Sequence, residues 1–280
     1  MTDLTLSVHT SPAFELPNGG IFSPTTSTLV LGPTEALLVD TQYLPAHVEA
    51  VRSEIASSGR TLTTIFITHA HSDHYFGLQT LLTAFPTAKA VATPAVATHA
   101  AANLQADREF SAAFFAGAAV DNDRVPDPLD GDVLTVDGVP IHVIELPQAD
   151  IHPTAALHIP ALDAVIAGDA IYNGINPFLA VSGPSEWPHW VHSVDTIAAL
   201  NPRIVVAGHK RPELPDDPRA IAETKAYLQA FIEGVESQPD SRGLVAHVQN
   251  LFPDHGNPTA LVMSAVTAFK RKKALESRGE

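Results

Sequence analysis

Short apolar runs alternate with helical stretches along most of the chain, and many of them stop at a glycine, a proline or an acid. Residues 27–31 and 36–40 are apolar runs on either side of Gly32-Pro33-Thr34, the pattern of a β-hairpin. Residues 44–58 carry helical spacing and stop at Gly59. A buried strand follows over 62–67, then a helix from Leu78 to Phe85 closed by Pro86, a strand over 88–92 and an Ala-rich helix over 94–117. Its Phe110, Phe114 and Phe115 suit a core or a pocket wall. The Pro/Asp-rich loop 121–131 precedes a second strand series at 133–136, 141–146, 156–159 and 164–169. A helix over 186–200, a strand over 203–207 and two helical stretches, 217–236 and 258–276, complete the pattern. His142 and His158 alternate with apolar neighbours, which puts them on a polar strand face rather than in a site.

Two strand-rich halves, each followed by helices, predict an α/β (α+β) fold with an internally duplicated architecture. The expected organisation is a core over 1–212 and a helical extension over 213–280 packed on it, with a homodimer left open. Composition narrows the partners. With 16 Lys+Arg against 31 Asp+Glu the formal charge is −15, which argues against nucleic acid and anionic lipid. There is no cysteine, hence no disulfide framework, thiolate ligand or thiol nucleophile. The first twenty residues lack the basic-then-apolar pattern of a signal peptide, and no apolar stretch approaches a membrane span, so a soluble, cytoplasmic protein is expected.

One stretch does not fit a packing role. His69-Ala70-His71-Ser72-Asp73-His74 puts three imidazoles and a carboxylate directly after the strand 62–67. Buried imidazoles need partners and would repel one another if protonated; a metal ion satisfies both demands. Two further strands end in a small residue and then a ligand type: Gly168-Asp169 after 164–167, and Gly208-His209 after 204–207. Asp40 also ends an apolar run, where it can support a site or cap a turn.

His69-Ala70-His71-Ser72-Asp73-His74 resembles the HxHxDH signature of the metallo-β-lactamase fold superfamily of metallohydrolases, and the later Gly168-Asp169 and Gly208-His209 fall in the superfamily's order. The resemblance covers roughly residues 20–212. It implies a four-layer αβ/βα sandwich with a dinuclear site. His69 and His71 would bind the first ion, Asp73, His74 and His209 the second, and Asp169 would bridge them. The superfamily usually supplies a third histidine to the first ion from the loop before the strand 155–159. Here that loop reads Pro147-Gln148-Ala149-Asp150-Ile151-His152-Pro153-Thr154. The usual spacing puts Asp150 at the histidine position, and gapped alternatives put Gln148 or His152 there. A carboxylate is a donor zinc accepts, whereas an amide is a poor one, so Asp150 is the expected ligand. It makes the first site harder and more anionic, which shifts preference towards Mn²⁺ or Fe²⁺ relative to a three-histidine site. It also argues against a persulfide dioxygenase.

The implied function is metal-dependent hydrolysis of a small ester, lactone, thioester or amide by a hydroxide held between two divalent ions, zinc first among them, with Asp73 orienting it. The alternative is a non-hydrolytic metal enzyme of redox or lyase type, or a metal-binding module with a degenerate first site. Tyr75, Phe76, Tyr172, Asn173 and Trp187 are candidates for the substrate pocket, with Phe178, His189 and Trp190 nearby. Tyr172 or Asn173 would be the donor to a developing oxyanion. Lys210 and Arg211 would either meet an anionic substrate group or pair with Asp216 or Asp217.

Overall fold

The computed structural model describes residues 4–277, so the outermost residues of the expected core 1–212 and extension 213–280 lie outside the described residues. The first half runs β1 (Thr5–Thr10), β2 (Phe14–Glu15), β3 (Ile21–Phe22), β4 (Thr26–Leu31), β5 (Glu35–Val39), α1 (Pro45–Ser58), β6 (Thr61–Phe66), α2 (Ser72–Tyr75), α3 (Leu78–Ala84), β7 (Lys89–Ala92), α4 (Pro94–Phe114) and β8 (Asp127–Pro128). The second half runs β9 (Val133–Val136), β10 (Val139–Leu146), β11 (Thr154–Ile159), β12 (Ala164–Ile166), β13 (Tyr172–Asn173), α5 (Trp187–Ala199), β14 (Ile204–Val206), β15 (His209–Lys210), α6 (Arg219–Ser237), α7 (Ser241–Leu251) and α8 (Pro258–Glu276).

Two sheets face each other. The first has the order β1-β4-β5-β6-β7-β8 and the second β14-β12-β11-β10-β9. The hairpin expected around Gly32 is the antiparallel pair β4–β5, and β5, β6 and β7 then pair in parallel. Strand alternation decides the layers, because successive side chains point to opposite faces. In β5, Leu37 and Val39 enter the core between the sheets while Ala36 and Leu38 face the helices outside. In β12, Ala164 and Ile166 point inward and Val165 outward. Helices α1, α3 and α4 cover the first sheet, and α5 to α8 cover the second, giving a four-layer αββα sandwich.

The C-terminal helices share one apolar cluster with the second sheet: Phe231 and Leu228 of α6, Leu244 of α7 and Leu261 of α8 pack with Trp187, Trp190 and Val205. The stretch read as two helices is three. Asp240 caps α7, its Oδ1 accepting the Gly243 N–H at 2.8 Å. Leu244 and Val248 bury one turn apart, so the signal is an N-cap followed by an amphipathic run, short enough to read as a linker. Among the described residues no helix is long and apolar enough to cross a membrane.

Strand β6 of one sheet and strands β12 and β14 of the other release their chains at the same end of the sandwich. There the sheets are joined: Ala155 N–H donates to Thr68 O at 2.9 Å, and Thr26 N–H to Gly208 O at 2.9 Å. Loops held at both ends by rigid strands are well placed to hold a site.

Because Phe231 is fully buried edge-on to Trp187, with ring centroids 5.5 Å apart, Phe231→Ala is expected to cost about 3–5 kcal/mol. Urea unfolding of this variant, followed by tryptophan fluorescence and by far-UV circular dichroism, should shift as one coincident transition. A separate early transition would show that α6–α8 unfold independently of the sandwich.

Candidate metal centre

Seven side chains converge at the joined end in two groups of donors, each able to hold a metal ion. One comprises His69, His71, Asp150 and Asp169; the other comprises Asp73, His74 and His209. The loop after β6 carries His69, which forms an isolated bridge to Thr154 of β11. His71 then caps α2, whose single turn places Asp73 and His74. Asp169 sits in the 3₁₀ turn after β12, and His209 opens β15 beyond β14.

Asp169 joins the two groups. Its Oδ2 lies 3.9 Å from His69 Nε2 and 3.1 Å from His209 Nε2, and its Oδ1 lies 3.3 Å from His74 Nε2. Asp73 Oδ2 is 3.1 Å from His74 Nε2 and 3.5 Å from His209 Nε2. Asp150 Oδ2 is 2.8 Å from His71 Nδ1, and its Oδ1 is 4.0 Å from His69 Nε2. The neighbouring candidates for that position are not in the group. Gln148 turns its amide to Ala149 O at 3.0 Å, and His152 is exposed.

The back of the site orients the rings. Asp40 does this for two of them. Its Oδ2 accepts from His74 Nδ1 at 2.8 Å and from Thr68 Oγ1 at 2.8 Å, and Thr68 Oγ1 is 2.9 Å from His69 Nδ1. Thr68 N–H holds Asp40 Oδ1 at 2.9 Å. His209 Nδ1 faces Pro24 O at 2.9 Å. With Nδ1 donating backwards, each of these three rings presents the Nε2 lone pair to the centre, the arrangement that metal-ligating histidines require. Asp40 therefore supports the site; it does not cap a turn. Thr68, Pro24 and Thr25, whose Oγ1 donates to Asp73 Oδ2 at 3.2 Å, complete the backing and have no signal of their own in the sequence.

Two glycines are there for space. A Cβ on Gly208 would stand 2.0 Å from Asp169 Oδ1, and one on Gly168, at φ +51°, would stand 2.9 Å from Thr68 Oγ1. Any side chain at either place would push into the shared carboxylate or its backing.

The donor set fits divalent ions. His69 Nε2, His74 Nε2 and Asp169 Oδ1 are fully buried and have no hydrogen-bond partner, which is costly for polar atoms unless an ion meets them. The electrostatics of the site carry the same signature. Burial disfavours charge on His71, yet the neighbouring Asp150 carboxylate, with Asp73 and Asp169 behind it, outweighs this and raises its pKa to about 9. His74 moves well up for the same reason, against its burial and under Asp73, Asp169 and Asp40. His69 moves well down through burial and the neighbouring His74. Burial alone would raise the Asp73 and Asp169 carboxyls; the surrounding imidazoles pull both below the usual range.

A cavity of about 290 Å³ opens over these donors. His71, Asp73, Asp150, Asp169, Tyr172 and His209 form its floor. Tyr172 donates its hydroxyl to Asp169 Oδ2 at 2.8 Å, and burial together with that carboxylate pushes its pKa well up, so the phenol stays neutral. Of the other pocket candidates, Phe178 lines the cavity but Tyr75, Phe76, Asn173 and Trp187 do not. Tyr75 and Phe76 point back into the helical layer behind the first sheet, where the Tyr75 hydroxyl meets Asp107 Oδ2 at 2.9 Å. Asn173 turns to Pro215 O at 2.9 Å, Trp187 packs on Phe231, and His189 is exposed. Trp190 is buried, its indole N–H on Ala170 O at 3.0 Å. Adjacency to a ligand in sequence misleads here, because a one-turn helix or a short strand sends the next side chain to the opposite face. Lys210 pairs with Asp216 at 2.6 Å, and Arg211 with Glu213.

Comparison with known proteins agrees with this geometry. A metallo-beta-lactamase family protein from Thermus thermophilus is 23% identical, with a TM-score of 0.67 over 98% of this chain and 94% of that one. A metallo-beta-lactamase from Pontibacter korlensis is 16% identical, with a TM-score of 0.62 over 82% and 99%. The DIM-1 metallo-beta-lactamase is 18% identical, with a TM-score of 0.62 over 81% and 97%. At these identities the likeness shows the fold. A search of curated protein sequences finds no match. The sequence profile of the metallo-beta-lactamase superfamily matches residues 20–209, a span that holds every donor of both groups, and the chain belongs to that superfamily.

Proposed function

We propose that the protein is a metal-dependent hydrolase of a small ester, lactone, thioester or amide, acting through a dinuclear centre. The observation that carries this reading is the Asp169 carboxylate set between two donor groups whose buried Nε2 atoms lack partners, at the floor of a cavity. His69, His71 and Asp150 would hold one ion, Asp73, His74 and His209 the other, and Asp169 both. When bound, the ions supply an activated water at neutral pH and Lewis acidity towards the substrate carbonyl. Zinc is favoured by intrinsic affinity, and the two carboxylates in the first group narrow its lead over Mn²⁺ and Fe²⁺. A decayed first site would have an incomplete donor set; four donors in that group argue against it.

The chain's own residues do the rest. Asp73, held by Thr25, faces the cavity and orients the attacking water by accepting its proton-bearing edge. Tyr172, kept neutral on the cavity floor, is assigned as the donor that meets the carbonyl oxygen as charge develops there, its one hydroxyl proton turning from Asp169 Oδ2 towards the substrate. Asp40 and Thr68 fix His74 and His69 so that the centre needs little rearrangement to bind its ions.

Three outcomes are expected. Metal analysis of the purified protein should find two equivalents of divalent ion, falling to one or none in Asp169→Ala, with hydrolysis lost; two retained equivalents would remove the bridging role. Tyr172→Phe should keep its metal while kcat falls roughly 100- to 1000-fold with little change in KM, as for removal of one oxyanion donor; an unchanged kcat would free Tyr172 of that role. The third concerns protons. In the metal-free protein the raised His71 pKa means its charged ring stabilises the fold below pH 6.5, a contribution lost as pH rises through about 9. Metal requires the neutral ring, so affinity measured by chelator competition should climb between pH 6.5 and 9 with proton release on binding. A pH-independent affinity would contradict the protonated state assigned to His71.

A further inference from the structure

We propose that the cavity selects uncharged esters or lactones with an apolar acyl chain; this rests on the hydrolase reading above. The walls come from four separate segments. Phe22 enters from β3, Phe114 and Phe115 from the end of α4, Phe178 and Val181 from the stretch before α5, and Met263 from α8. The aromatic part is edge-packed and so holds its shape: Phe22 meets Phe115 at 5.0 Å, Phe114 at 5.9 Å and the His209 ring at 5.9 Å. The stretch bearing Phe178 and Val181 is tied to the C-terminal region. Leu179 N–H donates to Ser264 Oγ at 2.9 Å, Asn176 Nδ2 to Gly256 O at 2.8 Å, and Arg271 to the carbonyls of Val181 and Ser182. Helix α8, which carries no readable motif, is thus a wall of the pocket.

The mouth continues the apolar surface. Of the nine large hydrophobic side chains exposed among the described residues, four, Ile21, Phe110, Val181 and Met263, border this one cavity. Phe110 is 59% exposed and stacks on Phe114, with ring centroids 5.3 Å apart, so the wall and the rim are continuous. A chain leaving the cavity would cover them.

Charge argues in the same direction. Among the described residues no Lys or Arg lines the cavity. The nearest cations in sequence are committed elsewhere: Lys210 is buried against Asp216, and Arg211 is held by Glu213 and by Asp254 O at 2.9 Å. The acid Asp107 also lines the cavity, and the whole chain is strongly acidic. A carboxylate or phosphate at the far end of the acyl chain, away from the metal centre, would meet no cationic side chain there and would be disfavoured. In the reaction the water oxygen bonds to the acyl carbon and the acyl–alkoxy bond breaks. One water proton goes to the leaving alkoxide and the other to solvent, giving a carboxylate and an alcohol, or a hydroxy acid from a lactone.

The test uses metal-loaded full-length protein, with His71→Ala as the blank. For p-nitrophenyl acetate, butyrate, hexanoate and octanoate, kcat/KM should rise, by up to about fourfold per added methylene where the chain stays in contact with the wall. The p-nitrophenyl monoester of adipic acid, with its free carboxylate, should fall roughly tenfold or more below the hexanoate. Met263→Asp should lower the octanoate-to-acetate ratio, and Met263→Lys should raise the adipate-to-hexanoate ratio; Met263 is exposed at the rim, so both variants should fold. Binding of pentan-2-one, octan-2-one and undecan-2-one, measured by calorimetry, gives a readout without turnover and should tighten along the series. Metal-dependent hydrolysis with no chain-length preference, or with the adipate monoester preferred, would overturn the substrate class and leave the hydrolase reading intact. Hydrolysis of the matching hexanoyl thioester or anilide but of no ester would overturn the substrate class alone; no hydrolysis of ester, thioester or anilide would overturn both, and flat ketone affinities would overturn the apolar recognition by themselves.

Discussion

The structure turns on one electrostatic constraint: three carboxylates, Asp73, Asp150 and Asp169, are buried among four imidazoles at the meeting point of two sheets. Burying a carboxylate without compensation is prohibitively costly, and three together repel one another. Protons on His71 and His74 are the makeshift solution in the metal-free chain, which is why both rings are pulled towards the charged form against their burial. Two divalent ions would offset all three negative charges and leave one positive charge over, which would suit an anionic nucleophile. The rest of the end of the sandwich serves this arrangement. Gly168 and Gly208 clear room for Asp169, and Asp40 steers two rings from behind.

The centre also explains why the halves of the sandwich meet as they do. Donors come from the loop after β6 on one sheet and from the ends of β10, β12 and β14 on the other. Backbone hydrogen bonds from Ala155 to Thr68 and from Thr26 to Gly208 close the seam beside them. The C-terminal helices add no donor to either group. They pack on the second sheet, and α8 reaches forward to the cavity, so the chain beyond the last ligand shapes what the centre meets rather than the centre itself.

How much of this is legible in the sequence follows from where the information lies. A ligand at a strand end is local: an apolar run sets the strand, a small residue lets the chain turn, and the next side chain points out of the end. His69 to His74, Asp169 and His209 are readable on those terms, and Asp150 can be placed by its spacing before β11 despite the missing histidine. The pocket is not legible in the same way. Tyr75, Phe76 and Trp187 follow ligands or aromatic stretches in sequence, yet a helical turn carries them into the core. The walls are assembled from segments as far apart as Phe22 and Met263, a long-range result of how α4 and α8 pack that no short stretch encodes. Helix α7 escapes the sequence pattern for the opposite reason: its signal is local but weak, one N-cap and two buried positions.

At the centre of all this stands the Asp169 carboxylate, set between two donor groups and proposed to be shared by two metal ions. Anomalous diffraction from crystals grown with Zn²⁺ or Mn²⁺, collected at the metal's absorption edge, tests that sharing directly. Two peaks per chain are expected, one among His69, His71 and Asp150 and the other among Asp73, His74 and His209, with Asp169 in contact with both. A single peak at saturating metal, or an Asp169 carboxylate that touches only one ion, would contradict it.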